Sequence, residues 1–279
     1  MVEARHRVHA VAVSAGEVVR AAGDPSLVTF FRSSAKPIQA LPVVRARPDL
    51  DETEIGLASG SHLARPEQLD AVRSLLEKAP ASEDDLECGP EPTKLEHNCS
   101  GKHAAMLALC RARGWESAGY SRVDHPCQRA MLEEVAAAAE VPPGAVPTAV
   151  DGCGVPTFAL SLERMAHAFS RLEGLEGGGR VAAAMRAHPE LVRGPHSADT
   201  ILMRTLDGWI AKSGAEGLLC AASPDGVGVA LKVEDGAGRA VRSGLGAFLA
   251  LLGLDPGEGL GVLPVANSRG EIVGDVRAV

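Results

Sequence analysis

Aromatic side chains are scarce in this chain: five Phe, two Trp and one Tyr make up 3% of its 279 residues. A core with so little ring area has to be filled mainly by Ala, Val and Leu, and unpaired bases would find no platform of rings to stack on. Excess positive charge is lacking too. The formal net charge is −8 with no long basic run, which sets the chain against nucleic acid and other polyanions. No apolar stretch is long enough to span a bilayer. The first residues are charged from Glu3 onward and lack the apolar segment of a secretory leader. These absences give the expectation of a soluble, cytoplasmic protein with no membrane partner. The cysteines (Cys88, Cys99, Cys110, Cys127, Cys153 and Cys220) are widely scattered, so buried thiols or a metal site are favoured over a disulfide framework.

What is present is ordinary globular material, 46% hydrophobic and 23% charged. Residues 8–13 and 17–19, separated by Ala15-Gly16, read as a hairpin, and Val28 to Phe31 as a further strand. Ile55 to Ser59 reads as a buried segment. Arg65-Pro66-Glu67 opens a helix with Leu69, Val72, Leu75 and Leu76 at helical spacing. Residues 80–93 form a polar loop, and helices are predicted over 104–113, 127–139, 160–172, 181–187 and 199–209. Gly177-Gly178-Gly179 reads as a flexible joint. Leu218 to Ala222 and Val227 to Val233 read as strands around an Asp225-Gly226 turn, followed by a helix over 240–252. Strands at both ends with helices between them predict an α/β sandwich, one antiparallel sheet covered by helices. The expected organisation is a single domain over 1–279, with a helical subdomain around 62–210.

The chemistry gathers around Arg32-Ser33-Ser34-Ala35-Lys36-Pro37. In a helix that begins near Ser33, residues three apart share a face, so Ser33 and Lys36 can meet. A serine hydroxyl needs a neighbour to take its proton, and a lysine serves only if burial or a second cation lowers its pKa. An N-capping Ser33 beside a solvated Lys36 would produce the same letters. Three more polar clusters lie at junctions between elements: Ser61-His62, Cys99/Lys102/His103 with Cys153, and Lys212. Ser61 and Lys212 could supply a second Ser–Lys contact, or be a turn residue and a surface lysine.

Read together, these clusters resemble a known family. Arg32-Ser-Ser-Ala-Lys-Pro-x-Gln-Ala-Leu-Pro, Asn98-Cys-Ser-Gly-Lys-His, Asp151-Gly-Cys-Gly-Val-Pro, Lys212-x-Gly-Ala-Glu-Gly and Ala230-Leu-Lys-Val-Glu-Asp-Gly occur in this order. The pattern is similar to the asparaginase II family, the Rhizobium-type L-asparaginases, from Val2 through most of the chain. The resemblance implies a fold like that of serine β-lactamases and serine-dependent glutaminases, a homodimer, and hydrolysis of L-asparagine to L-aspartate and ammonia. It makes Ser33 the nucleophile, Lys36 its base, Ser61 and Lys212 a second pair, and Cys99, Lys102 and Cys153 zinc-site positions.

Cys and His are the usual zinc ligands, so His97 and His103 are alternatives to Lys102, which binds metal only after losing a proton. A zinc ion there would orient the substrate's α-amino and carboxylate groups rather than activate water. Arg32, Asp151 and His103 are the candidates for substrate binding. The chain departs from the family where His62-Leu-Ala-Arg-Pro-Glu-Gln follows Ser61, in place of the more usual Ser-His-Ser-Gly-Glu-Pro-Glu. With Ser59 two residues away, either serine could be the second one. Arg193-Gly-Pro-His-Ser-Ala-Asp-Thr also departs from the usual Gly-x-x-Arg-x-Asp form, in a region expected to shape the pocket.

Overall fold

Alternation along a few short strands decides the architecture. The computed structural model describes residues 1–279. In chain order it runs β1 (Val8–Ser14), β2 (Glu17–Ala22), β3 (Val28–Phe30), a 3-10 turn (Arg32–Ala35), α1 (Lys36–Gln39), α2 (Leu41–Ala46), α3 (Glu52–Ala58), α4 (Pro66–Lys78), α5 (Ser100–Arg113) and α6 (Pro126–Ala139). It continues with β4 (Thr148–Val150), β5 (Pro156–Ser161), α7 (Leu162–Arg171), α8 (Gly178–Ala187), α9 (Pro189–Val192), α10 (Ala198–Thr205), β6 (Ile210–Gly214), β7 (Leu218–Ala222), β8 (Val227–Val233), α11 (Val241–Leu251), β9 (Leu263–Ala266) and β10 (Ile272–Val276).

The main sheet has the order β2-β1-β8-β7-β6, and every pairing in it is antiparallel. β1 crosses from the chain start to pair with β8, Val11 opposite Ala230. Successive side chains point to opposite faces, and the two sets are buried separately. Ala10, Ala12, Leu219, Ala221, Val229 and Leu231 pack with Leu245, Phe248 and Leu249 of α11. On the other face, Val11, Val13, Cys220 and Ala230 join Met165, Ala166 and Phe169 of α7 and the larger helical layer. The antiparallel sheet between helices is the sandwich that the sequence predicts.

Many facing positions are small, so backbones approach closely. A Cβ on Gly228 of β8 would lie 1.9 Å from the Ala166 carbonyl oxygen and 2.7 Å from the Ser170 nitrogen of α7. The β1–β2 hairpin turns through Ala15 and Gly16, both at positive φ (50° and 85°), the geometry that matches the strands' own twist.

Several boundaries differ from the sequence reading. The segment 156–161, partly assigned to a helix from Leu160, is strand β5 between β3 and β4. Its short apolar run carries no period that separates strand from buried helix. The helix starts only where Ser161 caps it, the side chain accepting the Arg164 N–H. Ile55 to Ser59 lies mostly in helix α3, and α5 starts at Ser100, which puts Lys102 on its first turn. Lys212 lies inside a strand rather than before one. The Gly177–Gly179 joint is instead a tight packing point, where a Cβ on Gly178 would fall 1.8 Å from the Leu172 oxygen. No helix is long and apolar enough to cross a membrane.

Gly228→Ala forces α7 away from β8 and is expected to destabilise the fold by about 1–3 kcal/mol, the usual cost of overpacking. A lower urea midpoint with an unchanged slope is the expected result.

Candidate active site

The chain enters the site through a strained corner. Phe31 closes β3, its N–H bonded to the Phe158 oxygen at 2.7 Å. Arg32 then takes a left-handed backbone (φ 49°), and its N–H donates to Thr157 Oγ1 at 3.1 Å. That corner turns the chain into the 3-10 turn and α1, where the Lys36 N–H donates to the Ser33 oxygen.

Lys36 is completely buried. Its Nζ donates to the Gly60 oxygen at 2.6 Å, to Ser61 Oγ at 2.8 Å and to Cys99 Sγ at 3.2 Å. Burial lowers the proton affinity of this amine; the Cys99 and Cys153 thiols work against that and the Lys102 charge adds to it. Ser33, one turn back, is half-buried, and its hydroxyl makes no hydrogen bond within the protein. Ser61 is held where its N–H meets the Val192 oxygen at 2.6 Å. Gly60 allows that approach, since a Cβ there would fall 2.7 Å from the Leu191 oxygen. Of the two neighbouring serines, Ser61 is the one that reaches Lys36; the Ser59 hydroxyl is buried without a partner.

Cys99 and Cys153 meet beside this amine. Cys153 is pushed down to about 4, first by a hydrogen bond from Cys99, with burial opposing and the Lys102 and Lys36 charges assisting. Lys102 Nζ lies 3.1 Å from Cys153 Sγ. Burial disfavours the Lys102 charge, but Cys153, Cys99 and Asp151 outweigh it and hold the amine protonated. Without a metal these groups therefore form an ammonium–thiolate pair. No cluster of three or more His, Cys, Asp or Glu side chains is arranged to hold a metal.

The two histidine alternatives are engaged elsewhere. His97 Nδ1 accepts the Cys99 N–H at 3.0 Å. The His103 ring is fully buried, with Nδ1 2.7 Å from the Tyr120 hydroxyl. Its other ring nitrogen, Nε2, is buried without a hydrogen-bond partner.

Arg32 and Asp151 do come together, Nε to Oδ1 at 2.7 Å, with the guanidinium partly exposed and the carboxylate nearly covered. Burial alone would raise the Asp151 carboxyl, but the Lys102 and Arg32 charges hold it below the usual carboxylate range.

Lys212 is the third buried amine. Its backbone oxygen accepts the Ser34 hydroxyl at 2.8 Å, and its Nζ donates to the Ser213 oxygen at 2.7 Å. Burial lowers its pKa to about 7; the Asp199 charge opposes the fall, Lys36 and Arg193 deepen it, and the Cys99 thiol opposes it. The anticipated Ser61–Lys212 contact is not formed: the Ser61 hydroxyl meets Lys36, and the Lys212 amine turns back to Ser213. The sequence reading also missed the roles of Thr157, Gly60, Ser34 and Asp199, which act through hydrogen bonds and a close backbone approach that no spacing announces. Two surface clefts, one beside Phe169 and Ser223 and one beside Asp84, Glu87 and Arg111, contain none of the site residues.

An amine held near 7 when folded and at 10.5 when unfolded makes stability pH-dependent. Between these values only the unfolded chain takes up the proton, so lowering the pH through this window destabilises the native state; below about 7 the effect is complete. Raising the pH from about 7.5 to about 9.5 should therefore increase the urea midpoint less in Lys212→Met than in the wild type.

No curated protein matches the chain. A solved structure described as Mglu in its native form in 4.3 M NaCl is similar at 16% identity and a TM-score of 0.42, covering 94% of this chain and 66% of that one. The chain thus spans just under two thirds of that protein's length. A β-lactamase from Mycobacterium bovis is similar at 15% identity and a TM-score of 0.33, covering 81% of this chain and 86% of that one. The family described as L-asparaginase II matches residues 1–278. With nearly the whole sequence accounted for, the chain belongs to the L-asparaginase II family, a family of amidohydrolases.

Proposed function

We propose that the chain hydrolyses L-asparagine to L-aspartate and ammonia through an acyl-enzyme on Ser33. The observation that carries the reading is the buried Lys36 amine, 2.8 Å from Ser61 Oγ and one turn from the unbonded Ser33 hydroxyl. Desolvation favours the neutral form of that amine, and only the neutral form accepts a proton. Ser33 attacks the side-chain carboxamide while Lys36 takes its proton. Backbone N–H groups at the start of the 3-10 turn and around residues 212–218 receive the developing oxyanion. Donors of this kind each contribute about 2.7–4 kcal/mol to lowering a barrier. Ammonia leaves with a proton from the Lys36–Ser61 network, and water then releases aspartate. Lys212 keeps a second amine beside the pair, its charge state adjustable near neutral pH.

The joined Arg32 and Asp151 present opposite charges, suited to the α-carboxylate and α-ammonium of an amino acid. The 3.1 Å contact of Lys102 with Cys153 and the hydrogen bond of Cys99 to Cys153 support a zinc site on Cys99, Cys153 and a deprotonated Lys102, with an amine in place of the more usual Cys or His ligand. When bound, the ion would help orient the amino acid's α-groups. Lys102 must surrender its proton to bind it, so occupancy falls as the pH falls. We extend the reading to a cytoplasmic homodimer.

The contact between Lys36 and Ser61 favours one second reading, in which Ser61 carries the acyl group. Exposure supports the first reading over it: Ser61 is 2% exposed, whereas Ser33 is only half-buried.

Ser33→Ala should lower ammonia release from asparagine by about a thousandfold or more. Activity within a few-fold of wild type would remove Ser33 from the nucleophile role, and an acyl adduct mapped by mass spectrometry to Ser61 would establish the second reading. Glutamine and a β-lactam reporter, run in parallel, separate an asparaginase from other acyl-transfer enzymes. Cys153→Ala is expected to raise KM while kcat stays near wild type, and to lower the zinc content found by elemental analysis. Unchanged kinetics with unchanged metal content would end the zinc proposal.

A further inference from the structure

Asp199 is a fully buried carboxylate in the first turn of α10 that takes part in no ion pair. Its oxygens are engaged by a single residue of the neighbouring strand: Oδ1 accepts the Ser213 N–H, and Oδ2 accepts the Ser213 hydroxyl at 2.8 Å. Ser213 directly follows Lys212 in β6. β6 is an edge strand of the sheet, so its outer side depends on such side-chain contacts rather than on a further strand. On that strand the Ser34 hydroxyl holds the Lys212 carbonyl and Asp199 holds the next residue. The amine itself returns to the Ser213 oxygen.

A buried carboxylate needs compensation. Part of it comes from the helix end, where the backbone N–H groups of the first turn favour negative charge. The rest has to come from a cation. The charged and titratable groups that act on Lys212 are Asp199 from α10, Lys36 from α1, Arg193 from the segment after α9 and Cys99 from the segment before α5. Among these, Asp199 has the largest influence on the amine, and it is attractive.

We propose that Asp199 is the positioning residue of Lys212: it clamps Ser213, whose carbonyl oxygen receives the amine, and its carboxylate supplies the attraction that the amine answers to. The inference rests on the reading of Lys212 as part of the amidohydrolase site, but the clamp and the charge have consequences that can be read without turnover. The departure of the Arg193–Thr200 run from the family's usual form thus falls on the segment that carries this carboxylate.

The test is the titration of Lys212 itself, followed by NMR on lysine labelled at its side-chain carbon and assigned with Lys212→Met. Asp199→Asn keeps the size of the side chain and an oxygen for the Ser213 N–H, and removes the charge. The Lys212 midpoint is expected to fall by about one pH unit from its value in the wild type. The pH limb of kcat/KM that belongs to Lys212 should move the same way. A merely structural Asp199 would reduce activity or stability and leave the midpoint in place, which would overturn the proposal.

If Asp199→Asn fails to fold, the double variant decides. Lys212→Met with Asp199→Asn removes both charges, and a regained cooperative thermal transition is the expected result. A double variant that also fails to fold counts against the proposal. Full asparaginase activity in Lys212→Met would sink the role of Lys212 in catalysis, while the NMR shift still reports on Asp199.

Discussion

Burying Lys36, Lys102 and Lys212 within reach of one another would cost several kcal/mol per charge if all three stayed protonated and unpaired. Each amine meets this constraint differently. Lys102 keeps its proton by facing the Cys153 thiolate, with Cys99 and Asp151 adding to the attraction. Lys36 is surrounded by a carbonyl, a hydroxyl and a thiol, and burial tips it toward the neutral form. Lys212 stands between them, held near 7 by burial while Asp199 resists the fall. The same region of the core thus contains a fixed cation, an amine disposed to accept a proton and an amine balanced between the two states. General acid–base chemistry near neutral pH calls for such a spread of proton affinities.

The scaffold makes this arrangement affordable by keeping the reactive groups off flexible segments. Lys36 follows a corner fixed at Arg32 by Thr157, and Lys102 sits on the first turn of a 14-residue helix. Lys212 is threaded into the sheet, with its carbonyl held by Ser34 and the next residue, Ser213, held by Asp199. Ser61 lies on irregular chain, and there the approach of Val192, possible only beside a glycine, fixes it. The shortage of aromatics serves the same end. Alanine-rich faces let α7 lie against β8 at a distance that a single added Cβ would not tolerate.

Much of the fold was legible because period and punctuation were clear. α4 and α6 announce themselves by spacing, composition and a proline at the start, and the β1–β2 and β7–β8 hairpins by their turn residues. β5 and β6 were not legible, since short apolar runs of five or six residues fit a strand and a buried helix equally well. In the site, the Ser33–Lys36 spacing and the Cys99, Lys102 and Cys153 positions were readable from motifs. The partners of those groups were not. Nothing in the letters says that Lys36 would choose Ser61 over Ser33, or that His103 would turn to Tyr120.

The sequence by itself determined which chemistry was available: a serine three residues before a lysine, two further lysines, two thiols and an Arg–Asp pair, ordered as in the L-asparaginase II family. It did so because motif spacing and hydrophobic period are local properties of the chain. Tertiary structure decided which of those groups touch, which are buried and which therefore hold their protons. Those outcomes depend on segments as far apart as Lys36, Cys153 and Lys212 closing on one another, and on the loss of water when they do, neither of which is written in any local stretch of residues.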